Sequence, residues 1–427
     1  MITAVILIFL IGYYLLDCVA KILNLRCLHG SVPSEFADVY DTARYQRSQD
    51  YTRTKTIFDL VSSTILLVVL LVFWFGGGFN LVDHFVRALH LPSVPKGLLY
   101  LAILAAGREI LSLPFDWVHT FVIEQRFGFN RTTVRTFIAD RIKGWLLGAI
   151  LGGALLSMIL WLLHRFGVQA WPVAWAITAI GSVLLMYLAP AVILPLFFKL
   201  KPLPAGELRD RITALCQSQN FPVRDLYVID GSRRSAKANA FFSGFGRNKR
   251  IALYDTLINN HSTEELLAVL AHEIGHFKRR HVLQHFALAQ LNLFLLFAFA
   301  SICLTRPEVY AAFKVEHPSV YVGFALISLL LQPFSLPVAV LVNYWSRLHE
   351  FEADSFAAKC LQDSNALISA LKKLSKDTLS NLTPHPLLVS LHFTHPPVLQ
   401  RVHALQQVGE SERAKRREGE TATGRVG

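Results

Sequence analysis

The stretch Ser262-Thr263-Glu264-Glu265, running through Leu266, Leu267, Val269 and Leu270 into Ala271-His272-Glu273-Ile274-Gly275-His276 and closing on Lys278-Arg279-Arg280, sets the reading of the whole chain. Ser262 and Glu265 make a capping box, in which each side chain can accept the other's backbone amide, so a helix opens there. On that helix His272 and His276 are four residues apart and share one face, within reach of a single zinc ion. Glu273 sits one step round, placed to act on a water rather than to bind the metal. Hydrolysis at a metal needs such a base, which takes a proton from water and later returns it to the leaving amine. A helix with two surface histidines would show the same spacing, so a zinc hydrolase also has to supply a third ligand and an open position.

Beyond Arg280 the chain turns apolar, as it is for most of its length. Of 427 residues 53% are hydrophobic and only 17% charged, with mean hydropathy +0.41. Soluble domains carry about a quarter charged residues. The figures therefore point to a multi-pass membrane protein and exclude a disordered, collagen-like or disulfide-stapled chain. Cys18, Cys27, Cys216, Cys303 and Cys360 are scattered and never spaced CxxC, which argues against thiolate zinc and against a disulfide framework. The charge of +12 fits membrane topology better than nucleic acid, because the aromatic residues lie inside apolar runs rather than among basic patches. No nucleic-acid partner is expected.

Seven spans are read at roughly 2–20, 57–77, 97–117, 144–163, 172–196, 283–303 and 319–343, each near the ~20 residues that cross a bilayer. The first lacks a basic leader and a small-residue cleavage site, so it reads as a retained helix and not a signal peptide. Loop 25–56 holds Arg26, Arg44, Arg47, Arg53 and Lys55, and loop 118–143 holds Arg126, Arg131, Arg135, Arg141 and Lys143. The alternate loops hold only Arg87 with Lys96, then Arg165, then Arg306 with Lys314. That bias puts the N-terminus outside and the active site on the cytoplasmic side. The chain then divides into five spans with their loops (1–196), a cytoplasmic α+β insert carrying HExxH (197–282), two further spans (283–343), cytoplasmic helices (344–407) and a polar tail without structure (408–427). In the insert Leu208, Ile212 and Leu215 share a helical face and Leu226–Asp230 alternates as a strand. Residues 237–254 form a hairpin around Gly244-Phe245-Gly246, with Arg250–Tyr254 returning.

After the last span comes Ser346-Arg347-Leu348-His349-Glu350-Phe351-Glu352-Ala353-Asp354. Glu350 and Asp354 share a helical face, so one can bind zinc while the other orients a ligating histidine. Glu352 points about 200° away and is the weaker candidate. Further on, Phe393-Thr394-His395-Pro396-Pro397-Val398-Leu399-Gln400-Arg401 lets Thr394 cap a helix that the prolines begin, with Arg401 in an early turn near His395. A histidine and an arginine so placed suit a developing tetrahedral oxyanion. His281 follows the motif beside the basic run and reads as interfacial. Arg108, Glu109, Asp59 and Asp116 lie within spans; either an aqueous interior hydrates them or they pair between helices.

These segments resemble the type I CAAX prenyl endopeptidases, integral-membrane zinc metalloproteases, over residues 35–405. Besides HEIGH and Glu350-Phe351-Glu352-Ala353-Asp354, the likeness rests on Thr120-Phe121-Val122-Ile123-Glu124 with Gly128-Phe129-Asn130, Pro202-Leu203-Pro204, Asn239-Ala240-Phe241, Asn248-Lys249-Arg250-Ile251 and Thr394-His395-Pro396-Pro397. It implies an all-α membrane protein of seven transmembrane helices enclosing a large water-filled chamber, with a small α+β cytoplasmic zinc-metalloprotease domain. It implies one Zn2+ on His272, His276 and Glu350, with Asp354 behind them and Glu273 as the catalytic carboxylate. His395 and Arg401 would stand at the transition state. Asn239 and Ala240, on an edge strand, would hold the substrate backbone. The expected partners are the lipid bilayer and a peptide or protein, prenylated at a C-terminal CAAX in the family's own reaction.

The short loops and Arg-rich tail favour a bacterial inner membrane, with the endoplasmic reticulum as the alternative. In a cell without prenylated proteins the activity becomes broader quality control of membrane proteins, similar to HtpX-type enzymes. A site-2 intramembrane protease would bury HExxH within a span, which Lys278-Arg279-Arg280 opposes. A non-catalytic membrane scaffold would lack Glu273 or a third ligand, and neither is missing.

Overall fold

A computed structural model describes every residue except 29, 238–239, 244–248 and 424–427. Asn239 and the hairpin tip at 244–248 therefore lie outside the described residues. Among those described, six helices are long and apolar enough to cross a membrane: Ile2–Arg26, Thr42–Phe75, Ser93–Glu124, Val134–Phe166, Val168–Phe197 and His281–Leu304. The seventh candidate is a pair, Val320–Leu330 and Ser335–Leu361, bent by 58°. Pro333 lies at the bend and has no amide hydrogen to give back to the preceding turn.

Several helices outrun the spans read from hydropathy. Helix Thr42–Phe75 begins well before residue 57, where Asp41 accepts a bond from the Arg44 amide at 2.7 Å and caps a polar first section. Thr133 caps Val134 onward in the same way. Hydropathy registers only the part that lipid surrounds, while the backbone stays helical into the aqueous phase. The tail likewise continues the helix Val398–Thr423, since its Glu, Lys, Arg and Ala residues are good helix formers.

The spans are barely buried against protein: between 0% and 22% of each apolar window is covered. A packed bundle would bury one face of every helix. These helices instead form a wall around an open interior. Between two of them Arg141 bridges Glu109, at 2.5 Å, and Asp116, so the charged residues are both paired and partly accessible. One end of the wall is closed by a core in which Trp74 stacks on Phe313 at 4.5 Å and donates to the Ala312 carbonyl.

At the other end sits the α+β unit. Its sheet runs β1 (Leu200–Pro202), β2 (Val223–Ile229), β4 (Lys249–Tyr254), β3 (Ala240–Ser243) in spatial order, with β2 and β4 parallel and the other pairs antiparallel. Helix Glu207–Ser218 buries Ile212 and Leu215 beneath it. The insert does not pack alone. Ile251, Leu270 and Ile274 share one core with Tyr40 and Tyr45 before the second span and with Ala357, Leu371 and Val402 after the last. Segments that the spans separate in sequence thus meet in one folded body.

Candidate active site and metal centre

Helix Thr263–Lys278 opens with the capping box: the Glu265 amide donates to Ser262 Oγ at 3.3 Å and the Ser262 amide to Glu265 Oε2 at 2.9 Å. It crosses helix Gln332–Leu361 at Gly275, where a side chain would meet Ala353 and Phe356. Because the 275 position is bare, the two backbones close up. His272 and His276 then face Glu350, one turn before Ala353.

Three donor atoms converge there. His272 Nε2 and His276 Nε2 are 3.1 Å apart, and Glu350 lies 3.6 Å from the first through Oε2 and 3.3 Å from the second through Oε1. Ligands about 2.1 Å from a tetrahedral zinc stand about 3.4 Å from one another. The chemistry of the set agrees. Asp354 Oδ1 is 2.8 Å from His272 Nδ1 and can only accept, so His272 carries its proton on Nδ1 and turns a lone pair inward. Glu350 Oε2 is buried and accepts no hydrogen bond, although Arg401 Nη1 stands 3.1 Å away. Inward lone pairs beside an orphaned carboxylate oxygen fit a cation.

Arg401 ties these groups together. Its Nε and Nη2 donate to Asp354 at 2.8 and 2.6 Å, a bidentate clamp, and the residue is 7% exposed. Asp354 is thus the carboxylate that orients His272, and Glu350 the one that meets both Nε2 atoms. Arg401 is held by Asp354 and, with Nη1 3.1 Å from Glu350, lines the same cavity as Glu273 and His395.

His395 is the open member. Its Nε2 is 3.3 Å from Glu350 Oε1 while its side chain is 64% exposed to the cleft. Burial by the surrounding walls pushes the imidazole below its ordinary pKa, Glu350 pulling the other way. Thr394 does not cap the next helix: its hydroxyl bonds His395 Nδ1 at 2.9 Å, and the helix starts at Val398. Pro396 and Pro397 have no amide hydrogens for a cap to receive, which frees the hydroxyl for the ring. A cavity of about 690 Å³ takes in His272, Glu273, His276, Glu350, His395 and Arg401 among its lining. Glu273 is half-buried beside the donors.

Three contributors escaped the sequence reading. Arg347, one turn before Glu350, donates from Nη1 to the carbonyls of Val389 and Phe393 at 3.1 and 2.7 Å. Asn343, a turn earlier, donates to the Leu391 carbonyl at 2.8 Å. Together they fasten the segment that delivers His395. A polar residue spaced at one turn from Glu350 was the only local signal. His281, read as interfacial, is instead 2% exposed, with its Nδ1 2.9 Å from His276 Nδ1. Arg280 takes a left-handed conformation, φ 59°, and so turns the next helix back on the first. Ala240 opens β3, the strand at the sheet's edge.

Fold and site define a multi-pass membrane metalloendopeptidase. A family model described as CAAX prenyl protease N-terminal, five membrane helices, matches residues 21–199, and one for peptidase family M48 matches 202–408. The chain belongs to that family, as a CAAX prenyl protease homologue. It is 34% identical to the CAAX prenyl protease 1 homolog of Arabidopsis thaliana over 93% of this chain and 96% of the relative. To CAAX prenyl protease 1 of Saccharomyces cerevisiae it is 32% identical over 90% of each. The crystal structure of S. mikatae Ste24p superposes with TM-score 0.88 at 32% identity, covering 94% of this chain and 98% of that one. Both sequence relatives are eukaryotic and lend the bacterial assignment no support.

Proposed function

We propose that the chain hydrolyses peptide bonds on the cytoplasmic side of its membrane, using one zinc ion held by His272, His276 and Glu350. The carrying observation is the convergence of two imidazole lone pairs and an orphaned carboxylate oxygen beside Glu273. The ion, when bound, would acidify water and polarise the scissile carbonyl. Glu273 takes the proton of the attacking water and later gives it to the departing amine. His395, facing the cleft, donates to the developing oxyanion. Arg401 adds positive charge behind it, while its bonds to Asp354 keep His272 turned inward. Substrate backbone pairs along β3, an edge strand that Ala240 opens, and Asn239, next to it in the sequence, is proposed as the second residue that holds it.

The named relatives favour a polypeptide prenylated at a C-terminal CAAX as substrate. Broad peptidase activity on membrane proteins is the second reading, favoured by the openness of the helical wall. Cleavage of one CAAX peptide, farnesylated and bare, by purified enzyme separates them. Preference for the farnesylated form is expected, and equal rates would move the assignment to general quality control. Glu273→Gln should lower turnover about 10²–10⁴-fold with zinc retained; full turnover in that variant would sink the mechanism.

A further inference from the structure

Among the described histidines His281 is the least exposed, at 2%, yet the reaction above does not use it. Its two nitrogens are both engaged. Nδ1 stands 2.9 Å from His276 Nδ1, and Nε2 stands 3.2 Å from Glu352 Oε2. Its ring lies flat on His349, with centroids 3.8 Å apart and planes 5° from parallel. Position and rotation are therefore fixed on three sides.

We infer that His281 and Glu352 form the outer support of the metal ligand His276, fixing which of its nitrogens carries the proton. The inference rests on the zinc reading above. With Nε2 of His276 turned to the metal, its Nδ1 carries hydrogen and donates to His281 Nδ1. His281 must then accept there, so its own hydrogen sits on Nε2 and donates to Glu352. A carboxylate accepts only, so a single arrangement of hydrogens satisfies the row. A carboxylate or carbonyl normally takes the outer nitrogen of a ligating histidine. For His272 this is Asp354, 1% exposed; for His276 the carboxylate is one imidazole further out, and its side chain is 52% exposed. Glu352, on the far face of its helix from the metal, is reached only because Arg280 folds His281 back.

The test is zinc affinity of the purified full-length protein, measured by competition with a chelator of known strength, alongside thermal unfolding of the metal-free form. His281→Phe keeps the stacked ring and removes the acceptor; it should weaken zinc binding about 10–100-fold. Glu352→Ala, at an exposed position where folding is not at risk, should weaken it by a smaller factor, and Glu352→Gln, which keeps an accepting oxygen, should restore most of it. The double variant should bind no more weakly than His281→Phe alone, because both act through one row. Metal-free unfolding unchanged in Glu352→Ala separates positioning from a general structural role. Wild-type affinity in Glu352→Ala overturns the inference, whatever becomes of His281→Phe. Wild-type protein that takes up no stoichiometric zinc, or that binds it equally after His272→Ala, would overturn the zinc reading itself.

Discussion

Gly275 approaches Ala353 so closely that a methyl group built on it would stand 3.1 Å from the Ala353 Cα and 3.2 Å from its carbonyl oxygen. The glycine of HEIGH therefore sets the spacing between the helix that carries His272 and His276 and the helix that carries Glu350. Gly275→Ala should cost about 1–3 kcal/mol, as overpacking does, and Gly275→Val more. Both should lose bound zinc as Glu350 is pushed from the histidines. Thermal unfolding with parallel metal analysis checks this; a Gly275→Val protein with full zinc content would show that the contact does not govern the donors.

Asp354 and Arg401 should separate by what each leaves behind. Asp354→Asn keeps the volume but can present a donor to His272 Nδ1, and zinc affinity should fall about 10–100-fold. Arg401→Met strips the counter-charge from two buried carboxylates and should destabilise the protein by about 3–5 kcal/mol. Arg401→Lys should rescue little, because a point charge cannot reproduce the bidentate clamp. Equal zinc affinity for wild type and Asp354→Asn would contradict the assigned tautomer.

Arg347 donates to the carbonyls of Val389 and Phe393, and its loss should resemble the loss of His395. Arg347→Met frees the carbonyls of Val389 and Phe393 and with them the segment leading to His395. Turnover should fall while zinc stays bound, and Arg347→Met combined with His395→Ala should be no slower than His395→Ala alone. Additive effects in that double-mutant cycle would assign Arg347 elsewhere.

Glu265 gives a pH signature outside the site. Burial alone would raise its carboxyl pKa, but Lys373, 2.7 Å away, Ser369 at 2.6 Å and the Ser262 amide more than offset this and hold it below the usual carboxylate range. A carboxyl lowered in the folded state adds stability that is full above its unfolded pKa and drains away as pH falls through the folded one. Unfolding measured from pH 7 down to 3 should show a loss below about pH 4.5 that is smaller in Glu265→Gln. Parallel curves for the two proteins would rule Glu265 out as a source.

What the sequence disclosed tracks how local each signal is. His272, Glu273 and His276 are legible because one helix turn fixes their relation. Glu350 and Asp354 were legible as a pair, but which would face the metal depends on the crossing at Gly275 and Ala353, set by packing between distant segments. The opposite error occurred at His281, where a basic neighbourhood suggested a water interface and the turn at Arg280 produced burial. Strand β1, Leu200–Pro202, is too short and too proline-marked to announce itself, and pairs only because β2 is there to receive it. Thr394 fits a capping pattern, but the pattern assumes amides that two prolines lack.

The helix Gln332–Leu361 carries Asn343, Arg347, Glu350 and Asp354 on one rigid rod, and the rod joins its membrane half at a 58° elbow. At 1.5 Å per residue, Glu350 stands about 25 Å along the rod from Pro333. A swing of about five degrees at the elbow moves the carboxylate about 2 Å by that lever arm, as far as a whole zinc–ligand bond. Glu350, Asp354 and, through Arg347 and Asn343, the approach to His395 would all travel together. The elbow belongs to a helix pair long and apolar enough to cross a membrane, so a change in bilayer thickness that bends it should shift all of these groups at once, and turnover compared across vesicles of short and long acyl chains would measure the effect.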